Sequence, residues 1–265
     1  MANFLLDEKE KKIILKTGGG MFSWCSVKLD NVCHYHNTYK ELPKIIDGQN
    51  AFGHYKTQET KGKDITSHFF MESNNTFSFS GKSNFHYNCQ FAEYKNLDFS
   101  IITKFVKHYF NPSKTVNGII NELEQKYNIN YEQTICIYYR GTDKSAETKI
   151  ASQADFLNKL SEIVEKYPMF NIVCLTDEIS FETQITNIYH EKVTIFKEVS
   201  QSMYSSEKRD LKARSYTHGL YMLACVFMLQ KCHTIICGSG NVSLWLALLR
   251  GHGNNIHQNL HLKWV

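Results

Sequence analysis

Ile135-Cys136-Ile137-Tyr138-Tyr139 runs without a break into Arg140-Gly141-Thr142-Asp143-Lys144. The first five residues are β-branched and aromatic, the composition of a strand buried on both faces, and the next five are small or charged. The stretch therefore reads as a parallel-type strand that delivers chemistry from its tip. In open α/β sheets, ligands bind in the crevice beyond the carboxyl ends of the strands. Two more stretches have the same form: Phe170-Asn171-Ile172-Val173-Cys174-Leu175 leads into Thr176-Asp177-Glu178, and His233-Thr234-Ile235-Ile236-Cys237 leads into Gly238-Ser239-Gly240-Asn241. Three polar strand ends in one half of the chain point to an enzyme rather than a binding module.

Working outward, the second half alternates regularly. The periodicity predicts helix 116–127, strand 133–139, helix 153–166, strand 170–175, helix 178–190, strand 193–196, helix 211–231, strand 233–237 and helix 242–250. Strands alternating with helices imply a parallel, doubly wound sheet. In the first half, Lys12-Ile13-Ile14-Leu15 reads as a strand, Thr17-Gly18-Gly19-Gly20 as a tight loop and Met21 to Tyr39 as a helix. Two readings fit that loop: a plain strand-to-helix turn, or an anion site in which Gly19 and Gly20 let backbone N–H groups approach a ligand at the helix N-terminus. A P-loop lysine is absent. Residues 50–97 are rich in aromatics, Ser and Asn; Phe69-Phe70 and Phe77-Ser78-Phe79-Ser80 give strand-like alternation, but no longer element is legible. Helix returns from Leu97 to Phe110, where Ile101, Ile102, Phe105 and Tyr109 recur at helical spacing, and Asn111-Pro112-Ser113 ends it. That break divides the chain into an N-terminal lobe, 1–112, which carries the Gly-rich loop, and a C-terminal lobe, 113–265.

Composition narrows the partners. A 265-residue chain with 42% hydrophobic residues can bury a full core in one large or two small domains. A net charge of +4, with Lys and Arg scattered among Asp and Glu, provides no basic stripe for nucleic acid. No apolar run approaches the ~20 residues of a membrane span. Met1 to Lys16 is charged rather than signal-like, so the expectation is a cytoplasmic protein. Among eight cysteines, Cys136, Cys174 and Cys237 sit in apolar strands and Cys225 in an apolar helix, which reads as buried thiols rather than disulfides. Cys33, His34 and His36 do not have the spacing of a zinc site. High Lys, Asn and Ile usage is consistent with a large DNA virus or a microbe.

Arg140, Thr142, Asp143 and Lys144, with Thr176-Asp177 and Gly238-Ser239-Gly240-Asn241, resemble the three donor-site motifs of the fucosyltransferase superfamily. That group includes the α-1,6-fucosyltransferases, the rhizobial chito-oligosaccharide fucosyltransferases and the protein O-fucosyltransferases. The resemblance covers roughly residues 115–250, and its specific element is Arg-x-Thr-Asp-Lys. The chain departs from the α-1,6 enzymes at two places, carrying Tyr138 where they have a His and Gly141 where they have a second Arg. The resemblance implies a GT-B-like α/β fold of two Rossmann-like lobes with parallel sheets, a cleft between them, and a Gly-rich loop facing that cleft. It also implies an inverting glycosyltransferase that joins a nucleotide-sugar donor, GDP-fucose first, to a glycan acceptor. The lobe 1–112 is then expected to be the acceptor side, and the lobe 113–265 is expected to bind the nucleotide sugar. The alternatives are the same fold with another donor such as UDP-xylose, and a catalytically silent carbohydrate-binding protein.

The residues fit such chemistry without a metal cofactor. Breaking a sugar–diphosphate bond moves negative charge onto the departing nucleotide, and a fixed cation must meet it. The chain has no Asp-x-Asp motif, and a guanidinium grips phosphate oxygens in a planar two-point fork. Arg140 is the candidate, with Lys144 in support and Thr142 in the donor site; a structural ion pair between Arg140 and Asp143 is the plainer reading. Asp143 and Asp177 either hold the donor or orient Arg140, while a loop Asp capping the next helix is the alternative for Asp177. Ser239, Gly240 and Asn241 precede a helix, where a diphosphate or an ordinary turn would fit. Glu147 and Asp143 compete as the base that deprotonates the acceptor.

Overall fold

The computed structural model describes residues 4–7, 9–15, 20–74, 80–141, 148–199 and 211–260. They form two compact units that interleave in sequence: unit 1 is Met1–Cys89, Asp98–Ile119 and Asp210–Ala224, and unit 2 is Gln90–Leu97, Ile120–Arg209 and Cys225–Val265.

In unit 1, β1 (Phe4–Asp7) and β2 (Lys12–Leu15) form an antiparallel pair, and β3 (Ile45–Asp47) adds parallel to β2. The expected second parallel Rossmann-like sheet is thus replaced, among the described residues, by a three-stranded mixed sheet. The reason is local: β1 and β2 are too close in sequence for a parallel crossover, which needs a dozen or more residues. Helix α1 (Met21–Tyr39) follows β2 and is buried along most of its length. It packs with α3 (Phe99–Tyr109), whose first turn is capped by Asp98 accepting from the Ser100 N–H. The short α2 (Thr66–Phe69) and β4 (Phe70–Met71) precede α3, and β5 (Asn111–Pro112) follows it and pairs antiparallel with β4. Trp24, Phe52 and Phe69 form the aromatic centre, with Phe52 and Phe69 stacked at 4.9 Å.

Unit 2 is built on five parallel strands. After α4 (Lys114–Tyr127), which runs through both units, come β6 (Thr134–Tyr139), α5 (Gln153–Lys166), β7 (Asn171–Thr176), α6 (Ile179–Tyr189) and β8 (Val193–Ile195). Then follow α7 (Leu211–Leu229), which also runs through both units, β9 (Thr234–Gly238), α8 (Asn241–Arg250) and β10 (Ile256–Asn259). The spatial order is β10-β9-β6-β7-β8. Numbered from one within the unit, this is 3-2-1-4-5, the order of a Rossmann-like nucleotide-binding sheet. All six residues of the central β6 are buried, as expected for a strand covered on both faces. Ile135, Ile137 and Tyr139 point to one side, into a core with Phe156, Leu160 and Ile163 of α5 and Phe181 and Ile185 of α6. Alternation turns Cys136 and Tyr138 to the other side. Helix α8, buried from Val242 to Leu248, is apolar almost all round, the pattern of a helix packed inside a protein.

A capping box starts α5: Ser152 Oγ accepts from the Asp155 N–H, and Asp155 Oδ2 accepts from the Ser152 N–H. All eight cysteines are free thiols; Cys89 is partly exposed and the others are buried. Among the described residues, no helix is long and apolar enough to cross a membrane.

Candidate functional site

Chain direction reverses across the sheet at one place. From β6 the chain steps to β7 and β8 on one side, then returns to lay β9 on the other, so the strand order has its switch point between β6 and β9, the place where open α/β sheets bind ligands beyond their carboxyl ends. Cys136 of β6 is level with Val173 of β7 and Ile235 of β9, so the three strands end within a residue or two of one another. Arg140-Gly141, Asp177 and Ser239-Gly240-Asn241 are the residues that follow those ends.

The structure joins the first two directly. Asp177 Oδ1 accepts the Gly141 N–H at 3.0 Å, and Asp177 Oδ2 lies 3.8 Å from Arg140 Nε. Arg140 is 37% exposed and Asp177 14%, so the carboxylate is anchored while the guanidinium stays within reach of solvent. Asp177 does not cap α6: the cap position belongs to Glu178, whose N–H donates to Thr176 Oγ1 at 3.1 Å. It works instead across the sheet, tying the end of β7 to the end of β6. Asp143, the other partner considered for Arg140, lies outside the described residues, as do Gly19, Thr142, Lys144 and Glu147.

Gly141 is explained by close approach. A Cβ there would stand 2.1 Å from Glu178 Oε1 and 2.9 Å from Tyr139 Cε1. The Glu178 carboxylate is held by Gln153, whose Nε2 donates to Glu178 Oε2 at 2.5 Å and to Ser180 Oγ at 2.9 Å. Burial, reinforced by the negative charges of Glu178 and Asp177, pushes the Tyr139 phenol up to about 12. Tyr139 therefore stays protonated at neutral pH and serves as a packed floor, its ring 4.5 Å from Phe181 and 5.0 Å from Phe156.

The loop after β9 is held by a different set of contacts. Gly240 has φ 153° and ψ 171°, a region that side chains other than glycine essentially never enter. Its N–H donates to the Gln90 carbonyl at 3.1 Å and lies 3.2 Å from the Tyr94 hydroxyl, which is itself 3.1 Å from the Gly240 carbonyl. Asn241 Nδ2 donates to Gln90 Oε1 at 2.9 Å, and Gln258 Nε2 donates to Ser239 Oγ at 3.1 Å. Helix α8 begins here with the Leu244 N–H bonded to the Gly240 carbonyl. The N–H groups of Asn241, Val242 and Ser243 thus precede the first intrahelical bond, and the positive end of the helix dipole faces the carboxyl edge. Gln90, Tyr94, Gln153 and Gln258 shape these loops but were not legible in the sequence, because each acts through a contact with a residue far away in the chain.

No protein-family profile and no curated protein matches the chain. Among solved structures, 19 chains match. One is the NodZ α-1,6-fucosyltransferase soaked with GDP-fucose, at 12% identity and a TM-score of 0.40, with 57% of this chain and 47% of that chain covered. The chain matches about half the length of that protein. The Rossmann-like assignment rests on the strand order itself.

Of the remaining sequence-derived site residues, Gly20 belongs to unit 1, where it is the extended N-cap of α1. A Cβ at Gly20 would meet nothing within 4 Å, so local packing does not demand a glycine there. The first N–H of α1, that of Met21, donates to the Tyr55 hydroxyl at 3.3 Å. Among the described residues, no group of three His, Cys, Asp or Glu side chains is arranged to hold a metal.

Proposed function

We propose that unit 2 is the donor-binding part of a GT-B-type, metal-independent, inverting glycosyltransferase, taking its sugar from a nucleotide-diphosphate sugar, GDP-fucose first, and passing it to a glycan hydroxyl. The observation that carries this reading is a guanidinium beside an anchored carboxylate. Arg140 stands beside the switch point of a 3-2-1-4-5 sheet, next to Asp177, which is itself fixed by the Gly141 N–H. An arginine held in this way needs little reorganisation when charge develops on a diphosphate leaving group, and preorganised charge is the largest single contribution in reactions of this kind. Asp177 is the positioning residue. The N-terminus of α8 supports the same reading, since a helix start favours phosphate. The motif resemblance around Arg140, Asp177 and Gly238–Asn241 supplies the choice of a nucleotide sugar over other nucleotides.

One observation favours a second donor. Gly141 stands where the α-1,6 enzymes carry another arginine, and the Glu178 carboxylate occupies the space a side chain would need. A single arginine then meets the diphosphate, which keeps UDP-xylose as the second reading.

Arg140→Lys tests the proposal, because lysine keeps the charge but loses the planar fork. Turnover of the nucleotide sugar should fall by ~2–4 kcal/mol of transition-state stabilisation in a folded protein. Turnover close to that of the unmodified chain would place the leaving-group contact elsewhere.

A further inference from the structure

Unit 2 has an open cavity of ≈ 630 Å³ between the first half of α5 and the end of β10. Lys149, Lys159, Asp155, Glu162, Asn158 and Asn259 supply its polar wall, and Ile150 and Leu260 its apolar one. Nothing in the donor chemistry uses it. The cavity sits at the carboxyl edge of the sheet, because Asn259 is level with Gly238, where the Ser239–Asn241 loop begins. Strand β10 neighbours β9, and β9 neighbours β6, so the cavity is displaced sideways from the end of β6 by two strand spacings, ~10 Å.

Its lining selects a ligand class. Two ammonium groups and two carboxylates cancel, so the cavity attracts neither anions nor cations through net charge. What remains is a dense alternation of donors and acceptors. Lys159 and Glu162 are ion-paired, yet an ammonium has three protons and a carboxylate about four lone-pair sites, so both can serve a ligand as well. Asn158 is exposed and offers both a donor and an acceptor. Asn259 lines the cavity as well, and its Nδ2 is buried without a hydrogen-bond partner, a feature native folds keep rarely. Neutral hydroxyl groups that both donate and accept, on a ring with an apolar face for Ile150 and Leu260, match this lining.

We propose that the cavity is a subsite for a neutral saccharide, the acceptor glycan of the transfer reaction; this identification as acceptor rests on the glycosyltransferase reading. The full chain should be presented to an array of neutral oligosaccharides of glucose, galactose, mannose and N-acetylglucosamine, with sulfated and uronic-acid glycans as controls. The strongest neutral ligand is then titrated calorimetrically. Asn158→Trp, which fills the cavity from an exposed helix position, should weaken that binding at least 10-fold, and so should Glu162→Ala if the tryptophan variant fails to fold. Binding of acidic glycans alone, binding that both variants leave unchanged, or no binding to any neutral glycan would overturn the subsite. Thermal shifts with GDP and UDP on the same samples separate the two claims. Shifts without glycan binding reject the subsite and leave the donor reading intact. Glycan binding sensitive to Asn158→Trp without any nucleotide shift rejects the donor reading and upholds the subsite.

Discussion

Replacing Asp177 by Asn and by Ala separates the two contacts that this residue makes across the sheet. Asparagine keeps an oxygen for the Gly141 N–H at 3.0 Å but removes the charge 3.8 Å from Arg140 Nε. With Arg140 37% exposed, that ion pair has the strength of a surface pair, ~0.2–1 kcal/mol. The remaining hydrogen bond becomes neutral and loses roughly half its strength, another ~0.5–1 kcal/mol. The expected destabilisation by Asp177→Asn is therefore ~1–2 kcal/mol. Alanine also strands the N–H of the buried Gly141, which costs about 1–3 kcal/mol by itself, so Asp177→Ala should lose ~2–4 kcal/mol. Urea unfolding followed by far-UV circular dichroism measures both. Nucleotide affinity should fall in both variants, on the order of 10-fold (~1.4 kcal/mol), because the guanidinium loses its orienting partner. If Asn and Ala unfold within ~0.5 kcal/mol of the unmodified chain, Asp177 does not link β6 to β7 and the argument for a preorganised Arg140 fails.

Two further outcomes are expected. Lys28 is only 2% exposed, its ammonium 4.9 Å from the Tyr109 ring centre and 5.2 Å from that of Phe110, with the half-exposed Glu72 at 3.4 Å as partner. The buried ammonium carries a desolvation cost of several kcal/mol, which the Glu72 pair and cation–π contacts worth up to ~2 kcal/mol only partly return, and the half-exposed Glu72 stays solvated without its partner, so Lys28→Met should stabilise by about 1 kcal/mol. Burial outweighs Glu72 and holds the Lys28 pKa below its ordinary 10.5, so the unfolded chain binds this proton more tightly. The advantage of Lys28→Met is then full below the folded pKa and closes as pH rises through it toward 10.5; a pH-independent gap in chemical unfolding would refute this. If Arg140 meets the diphosphate as proposed, sugar transfer should survive EDTA; complete loss of turnover that added divalent metal restores would overturn that role.

Much of unit 2 was legible because its elements are bounded by local signals. The span of α5 follows from its helical periodicity, with its start fixed by the Ser152–Asp155 capping box, and β6 and β9 from unbroken apolar runs between polar loops. Strand β10, Ile256-His257-Gln258-Asn259, was missed: it lies at the sheet edge and is mostly polar, so only its pairing with β9 defines it. In unit 1, β3 is three residues long and β4 two, too short for any alternation to register. At the site, Arg140 and Asp177 could be singled out by their place at strand ends, but their partnership spans 37 residues and depends on strand register. The buttress of Gln90 and Tyr94 under Gly240 comes from the stretch with the weakest secondary-structure signal, because 3-10 turns and side-chain contacts leave no periodicity.

Nucleotide binding decides whether Arg140 and Asp177 belong to a donor site. The full chain is titrated with GDP, UDP, ATP and NAD while its melting temperature is followed, since a ligand that binds only the folded state stabilises it by an amount set by its concentration over Kd. GDP, or failing that UDP, should raise the melting temperature, ATP and NAD should leave it unchanged, and Arg140→Lys should diminish the rise. Equal shifts with all four nucleotides, or none with any, would contradict a donor site there.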